Sequence, residues 1–522
     1  MRLAIGVTLV IIALLPSGAT AQVPQVEREA LIAFYYATGG PNWIDDDGWL
    51  GPVGTECNWL GVDCFTFFDN YVVGLYLESN NLNGYVPPQI ADLGNLGTLQ
   101  LSDNSVTSLP PEIGSLSELR SVYLDGNPIT SLPAEFWTLG VTDLDLSRTQ
   151  LGSLPAEIGQ FTSLFSLYVE EMQLTALPET IGNLIHLYRL HAAGNNLASL
   201  PASIGDLASL YELDVSQNQL TALPLTIGQL QVLYELHLER NKILTLPHEI
   251  GDTTNLRRLY ASHNRLSALP PEIGNLALYT LEVSSNRITT FPSEIADCPV
   301  STLDVWWNGI YADDPALWGW LGQRQPNWEE TQTVPPSSVS FSLITDHTLM
   351  MEWWPIEYVF VDGGFEVLVR ESSASQWVTA GWTPDRYVTE FPVVGLTPGV
   401  AYDVAVRSFT PAHPNNSNDI ISELSVPVTA TTSTSGCEMP VISQSGGNPT
   451  TLTAPAGAAF YLWNTGETTQ SILVQPVDPT WYWVTVYDGG CQESASVLVD
   501  GVTMFTDDFE SGDTSAWSGT VP

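Results

Sequence analysis

Apolar residues over most of the chain fall into one frame, L-x-L-x-x-N-x-L, in which two leucines flank a variable residue and an asparagine follows. The asparagine stands at 80, 104, 127, 195, 218, 241, 264, 286 and 308, with 23 residues separating Asn195, Asn218, Asn241 and Asn264. Thr149 and Met172 fill the same slot in two further units, which makes eleven. The alternation of the L-x-L step predicts one short strand per unit, with its leucines turned inward. Each unit continues with a variant of LPxEIGxL, as in LPAEIGQF (154–161) and LPPEIGNL (269–276), which predicts an irregular return on the convex side. One unit cannot bury its apolar face alone, so the units must stack into a continuous core. The slot asparagine is suited to satisfy backbone groups where the chain leaves the strand, and repetition would make it a ladder.

This frame at this copy number resembles the leucine-rich repeat family, which implies a solenoid with parallel strands on its concave face and 3-10 or short helical segments on its convex side. EREALIAFYYATGGPNW…CNWLGVDC (27–64) resembles the N-terminal cap of extracellular leucine-rich repeat proteins, including plant receptor ectodomains. That resemblance implies an amphipathic helix and a Cys57–Cys64 bridge over the first rung. DPALWGWLGQRQPNW (314–328) offers Trp318, Trp320 and Trp328 to seal the last rung. After TQTVPPSS (331–338) the period is lost, and short strand-like runs alternate with turn signals. GLTPGVAYDVAV (395–406) resembles the tyrosine-corner region of fibronectin type III domains, with Tyr402 at the corner, Leu396 in the core and Trp353 on an early strand. YLWNTGETTQSILV and WYWVTVYDGGC (481–491) resemble bacterial Ig-like repeats, with Cys437 and Cys491 bridging the first and last strands. The expected order is an export signal (1–21), N-terminal cap (22–70), solenoid (71–311), C-terminal cap and linker (312–334), fibronectin type III-like domain (335–432), Ig-like domain (433–500) and a tail (501–522) without fixed structure. Two all-β sandwiches thus follow the solenoid in an exported bacterial protein.

Composition narrows the function. The chain of 522 residues carries 58 acidic against 15 basic residues, a net charge of −43. Such a field repels phosphate backbones and anionic headgroups, so neither nucleic-acid binding nor membrane docking is expected. MRLAIGVTLVIIALLPSGATA has the apolar run and A-x-A end of a secretory signal and is too short to span a bilayer. No later segment reads as membrane-inserting. Export places the five cysteines in an oxidising compartment, where Cys57 and Cys64 are near enough to bridge and Cys437 and Cys491 bracket one segment. Cys298 takes the inward slot that Leu276 fills one unit earlier, so a buried, inert thiol is expected.

Candidate chemistry is confined to a surface. The motifs H-E-x-x-H, G-x-S-x-G, G-x-x-x-x-G-K-[ST], C-x-x-C and the EF-hand loop are all missing from the sequence, and no enzyme activity is expected. The variable residue of each L-x-L step points outward, giving the column Tyr76, Gln100, Tyr123, Asp145, Tyr168, His191, Asp214, His237, Tyr260, Glu282 and Asp304. Of these, Tyr123, Asp145, Tyr168, His191, Asp214, His237, Tyr260 and Glu282 are the candidate ligand-binding residues, flanked by Arg189, Glu212, Glu235, Glu239, Arg240 and Arg258. Tyrosines and arginines are efficient anchors, so the expected partner is a protein or peptide, with a glycan as the alternative. His191, Asp214 and His237 are metal-ligand types, but a flat strand column assigns no metal, and no cofactor is expected. His248, in the variable position of LPxEIG, belongs to the convex side.

Overall fold

The computed structural model describes residues 22–65, 70–311, 314–356, 362–447, 449–477 and 479–500. The expected export signal and C-terminal tail lie outside these residues. The chain forms two compact units, one running through Asn286 with Phe291–Val305 and Pro315–Pro326, the other holding Arg287–Thr290, Trp306–Asp314 and the residues from Asn327 onward.

The first unit is built on a 12-stranded sheet. Its first strand, Val62–Phe65, pairs antiparallel with Tyr71–Tyr76, and from there every neighbour is parallel. The eleven parallel strands are the L-x-L steps. Inward residues such as Leu99, Leu144, Leu190, Leu236 and Leu281 are fully buried, each contributing about 1.5–3 kcal/mol by leaving water. After each Leu-Pro step the chain makes a five-residue 3-10 turn, for example Ala156–Gln160 and Glu179–Asn183. The isoleucine of these turns, Ile158 and Ile181 among them, is likewise fully buried, and Phe136 takes its place in the turn Ala134–Thr138. The following glycine is set by close packing of rungs: a Cβ on Gly182 would stand 2.6 Å from the Ser203 carbonyl oxygen.

The asparagines form the expected ladder, and its wiring is specific. Asn218 Nδ2 donates to the carbonyls of Ala192 (2.9 Å) and Val215 (3.1 Å), while its Oδ1 accepts the Leu197 N–H (2.9 Å). Asn241 donates to Val215 and Leu238, and Asn264 to Leu238 and Ala261. Each of these carbonyls therefore accepts from two successive asparagines. Thr149 keeps only a donation to its own unit's Leu146 carbonyl (2.7 Å), and Met172 has no amide to offer.

At the N-terminal end the helix Gln25–Ala37 buries Ala30, Leu31, Phe34 and Tyr35, an i, i+1, i+4, i+5 stripe. Arg28 pairs with the buried Glu56 and lies 5.0 Å over the Trp59 ring. Glu27 accepts the Val72 N–H (2.8 Å), fastening the helix to the first rung. Cys57 and Cys64 are disulfide-bonded beside this cluster. At the other end the helix Pro315–Arg324 closes the last strand through Gln325 Oε1, which accepts the Val305 N–H (2.8 Å). Trp320 is buried there, whereas Trp318, expected to join it, falls on the outer face of that helix and is 46% exposed. Cys298 is buried, its thiol directed at the Ile273 carbonyl (3.0 Å), and burial first of all pushes its pKa up to about 11.

The second unit is all β. Ser337–Ile344, Leu349–Trp354 and Glu390–Val393 form one sheet, and a five-stranded sheet includes Gly364–Glu371 and Ala401–Thr410. Trp353, Phe365, Val367, Phe391 and Val404 fill the space between. The Tyr402 hydroxyl accepts the Thr397 N–H (3.1 Å), and Leu396 is buried nearby. Two three-stranded sheets follow, packed around Leu452, Trp463, Ile472 and Val484. Cys437 and Cys491 are bonded, but Cys437 precedes the first strand, Ser443–Gly446, rather than lying on it. It sits where Asp346 gathers the N–H groups of Ser435, Gly436 and Cys437.

Candidate functional site: the concave face

The register of the parallel sheet places the outward column side by side. Tyr123 pairs with Asp145, Asp145 with Tyr168, Tyr168 with His191, His191 with Asp214, Asp214 with His237, His237 with Tyr260 and Tyr260 with Glu282. Four of these side chains make ring contacts in pairs. Tyr168 meets His191 edge-on at 4.9 Å, and His237 stacks on Tyr260 at 4.5 Å. Asp214 lies between the two histidines. Tyr123, Asp145 and Glu282 occupy the same row farther out.

The histidines carry nearly identical surroundings. His191 Nε2 lies 3.1 Å from Glu212 Oε1 and its Nδ1 3.5 Å from Glu170 Oε1, while Glu212 is held by Arg189 Nε at 3.1 Å. His237 Nε2 lies 3.1 Å from Glu235 Oε1 and Nδ1 3.4 Å from Glu239 Oε1, while Glu235 is held by Arg258 at 3.1 Å. Burial alone would lower both imidazole pKa values, but the carboxylates on either side outweigh it. His191 is raised, and His237 is raised to about 9. Two carboxylates of the row are raised as well, which for an acid disfavours the charged form. Burial, and after it the neighbouring Asp125 and Glu170, lift Asp145 to about 6 against the hydrogen bond from Ser147. Burial and the adjacent Asp304 and Glu239 raise Glu282.

One feature of this face lies outside the L-x-L reading. Phe165, Tyr188, Tyr211 and Tyr234 stack in succession, with centroids 4.9, 4.7 and 4.9 Å apart and ring planes within 8°. These are the residues just before each strand, so the repeat spacing brings every ring onto the next at about the inter-strand distance. Arg189 lies 5.4 Å from the Tyr188 ring and Arg258 5.9 Å from that of Tyr234. The signal was in the sequence: an aromatic residue recurs every 23 positions at 165, 188, 211 and 234. Glu170, two positions past the column, is the other participant outside the expected set, whereas Glu239 at the equivalent position of its own rung was among the flanking residues. His248 lies exposed on a convex turn.

Comparison with known proteins agrees with this architecture. The family model described as a leucine-rich repeat region matches residues 181–265, and the single leucine-rich repeat model matches 255–276. The first unit is a leucine-rich repeat solenoid. Among solved structures, a Leptospira interrogans leucine-rich repeat protein is 31% identical, with 43% of this chain and 64% of that one covered at a TM-score of 0.38. The ectodomain of the Arabidopsis thaliana receptor kinase GASSHO1/SCHENGEN3, solved with CASPARIAN STRIP INTEGRITY FACTOR 2, is 24% identical over 56% of this chain and 43% of that one (TM-score 0.43). A leucine-rich repeat protein of Bacteroides eggerthii is 15% identical over 55% and 72%, respectively (TM-score 0.42). The chain thus spans less than two thirds of the length of the first two. A search of curated proteins returned no match.

Proposed function

We propose that the concave face binds an extended protein or peptide segment, and that the chain is an exported, non-enzymatic recognition protein. The observation that carries this reading is the continuous band of rings and paired charges from Phe165 to Tyr260, held in register by successive parallel strands. Tyr and Arg anchors positioned on a rigid scaffold lose little side-chain entropy on binding. Tyr168, His191, Asp214, His237 and Tyr260 form the centre of the footprint, the aromatic stack one border, and Tyr123, Asp145 and Glu282 its ends. Both imidazoles have carboxylates as their hydrogen-bonding partners, which suits charge recognition rather than nucleophilic catalysis. A sugar ring grips an open aromatic face, and here the faces of Tyr188 and Tyr211 are covered by one another, which favours a peptide over a glycan. The second unit, in this reading, comprises a fibronectin type III-like and an Ig-like module that hold the solenoid away from a surface.

Panning a displayed peptide library against the purified chain tests the reading. Selected peptides should lose at least tenfold in affinity for the double variants His237→Ala/Tyr260→Ala and Tyr188→Ala/Tyr211→Ala. Retention of full affinity by both variants, or selection of glycans alone on a parallel array, would remove it.

A further inference from the structure

We propose that Glu170, His191 and Asp214 form a site for one divalent transition-metal ion, with Zn2+ the best-matched species. The three come from successive rungs and each offers one donor atom, all within 4.8 Å of one another. Glu170 Oε1 and His191 Nδ1 are already 3.5 Å apart. Two ligands bound tetrahedrally to Zn2+ at ~2.0–2.2 Å are separated by about 3.4 Å, so this pair needs almost no movement. The remaining separations close by roughly 1 Å, within reach of carboxylate rotation on a half-exposed face.

The support behind the ligands is what distinguishes the group from a chance meeting of acids. The far nitrogen of His191 is engaged by Glu212 at 3.1 Å, and Glu212 is itself fixed by Arg189. With Nε2 as the donor to Glu212, the Nδ1 lone pair is left on the side of Glu170. A carboxylate behind a ligating imidazole is the recurrent arrangement that orients the ring and raises its basicity. Asp214 is also braced from outside the group, one oxygen accepting the Ser216 N–H at 2.9 Å and the other remaining for a ligand. One imidazole with two carboxylates suits a borderline cation, and a dication neutralises the two carboxylates in a chain of net charge −43. His237 is not part of such a group: among the described residues its carboxylate neighbours Glu235 and Glu239 come from its own rung and do not gather with it into a compact three-donor set. All three ligands are half-buried, so a bound ion would keep open positions toward the groove. The inference does not depend on the peptide-binding reading, because the ion is held by this chain alone.

The test uses the full exported chain, stripped with chelator and dialysed. Titration calorimetry with Zn2+ should give one ion per chain, and Co2+ should produce visible d–d absorption of nitrogen and oxygen ligation. His191→Ala should weaken Zn2+ at least 100-fold, Glu170→Gln and Asp214→Asn at least tenfold each, and Glu212→Gln about 10- to 100-fold. His248→Ala, on the convex turn, should bind as the parent does. Circular dichroism of each variant checks folding, and should His191→Ala not fold, Glu212→Gln and Glu170→Gln carry the test. The proposal is overturned by substoichiometric Zn2+ in the parent, by unchanged affinity in these ligand variants, or by loss of the ion in His237→Ala with retention in His191→Ala.

Discussion

Asn218 offers a direct measure of what the asparagine ladder contributes. It is 2% exposed. Replacing it with alanine leaves the Leu197 N–H without its acceptor, a buried orphan costing about 1–3 kcal/mol. The carbonyls fare better, because Ala192 O keeps Asn195 (3.0 Å) and Val215 O keeps Asn241 (2.9 Å). Their loss is limited to weaker second bonds, so the total for Asn218→Ala is about 2–4 kcal/mol. Asn218→Asp preserves an acceptor for Leu197 but turns an oxygen toward two carbonyls, and burying that charge should cost more than alanine at neutral pH. Acidification to about pH 3 should reverse the order by protonating the carboxylate. In a chain of two units a single unfolding transition is poorly defined, so hydrogen exchange read by mass spectrometry on peptides spanning Ala192–Leu200 is the suitable assay. Asn218→Ala should speed exchange there about 30- to 800-fold relative to the parent. A change under threefold, or an aspartate variant milder than alanine at pH 7, would refute the reasoning.

Three further outcomes follow from the same geometry. His237 has a folded pKa of about 9, above its ordinary 6.5, so its stabilisation is complete below about pH 6.5 and disappears as pH rises through 9. Thermal melts should decline over that window by at most about 3 kcal/mol, and His237→Ala should flatten the decline; an unchanged slope counts against it. Asp145 is raised from 3.8 to about 6, so its ionisation weakens the fold as pH climbs from 4 to 6, and Asp145→Asn should raise the melting temperature at pH 7.5 but not at pH 4. Equal shifts at both pH values would contradict that assignment. Removing Cys57–Cys64 (separation 7) should cost about 2.5 kcal/mol and removing Cys437–Cys491 (separation 54) about 4, a ranking that calorimetry of the two double-serine variants can invert or uphold.

The solenoid was legible because its determinants are local and periodic. Leu190, Asn195 and Ile204 hold slots that recur through most units, and register followed from a fixed spacing. The column from Tyr123 to Glu282 came with it. The flanking Glu235 and Glu239 of His237 were legible with it, but the clamp on His191 was not, because Glu212 reaches back across a rung and Glu170 reaches forward, choices of rotamer that spacing does not encode. The aromatic stack was periodic yet sat outside the L-x-L window. Trp318 was grouped with Trp320, but residues two apart on a helix lie on different faces, and only Trp320 is buried. In the second unit, Glu493 accepts the N–H groups of Asp346 and His347, a contact across nearly 150 residues that no local pattern announces.

The asparagine ladder also has a seam. From Asn195 to Asn286 successive amides share carbonyls without a break, as they do between Asn104 and Asn127. Thr149 and Met172 interrupt this sharing, and the gap is crossed instead by backbone pairing, apolar packing and isolated side-chain bonds, such as Ser147 Oγ accepting the Glu170 N–H (3.1 Å) and Arg148 pairing with Asp125 (2.7 Å). A linear array transmits strain from neighbour to neighbour, so its weakest junction decides where it parts. Stretched or partly melted, the solenoid would separate into a short block fastened to the N-terminal cap and a longer block carrying both histidines. Such a break would keep His191, Asp214 and His237 together while dividing Tyr123 and Asp145 from the rest of the outward row.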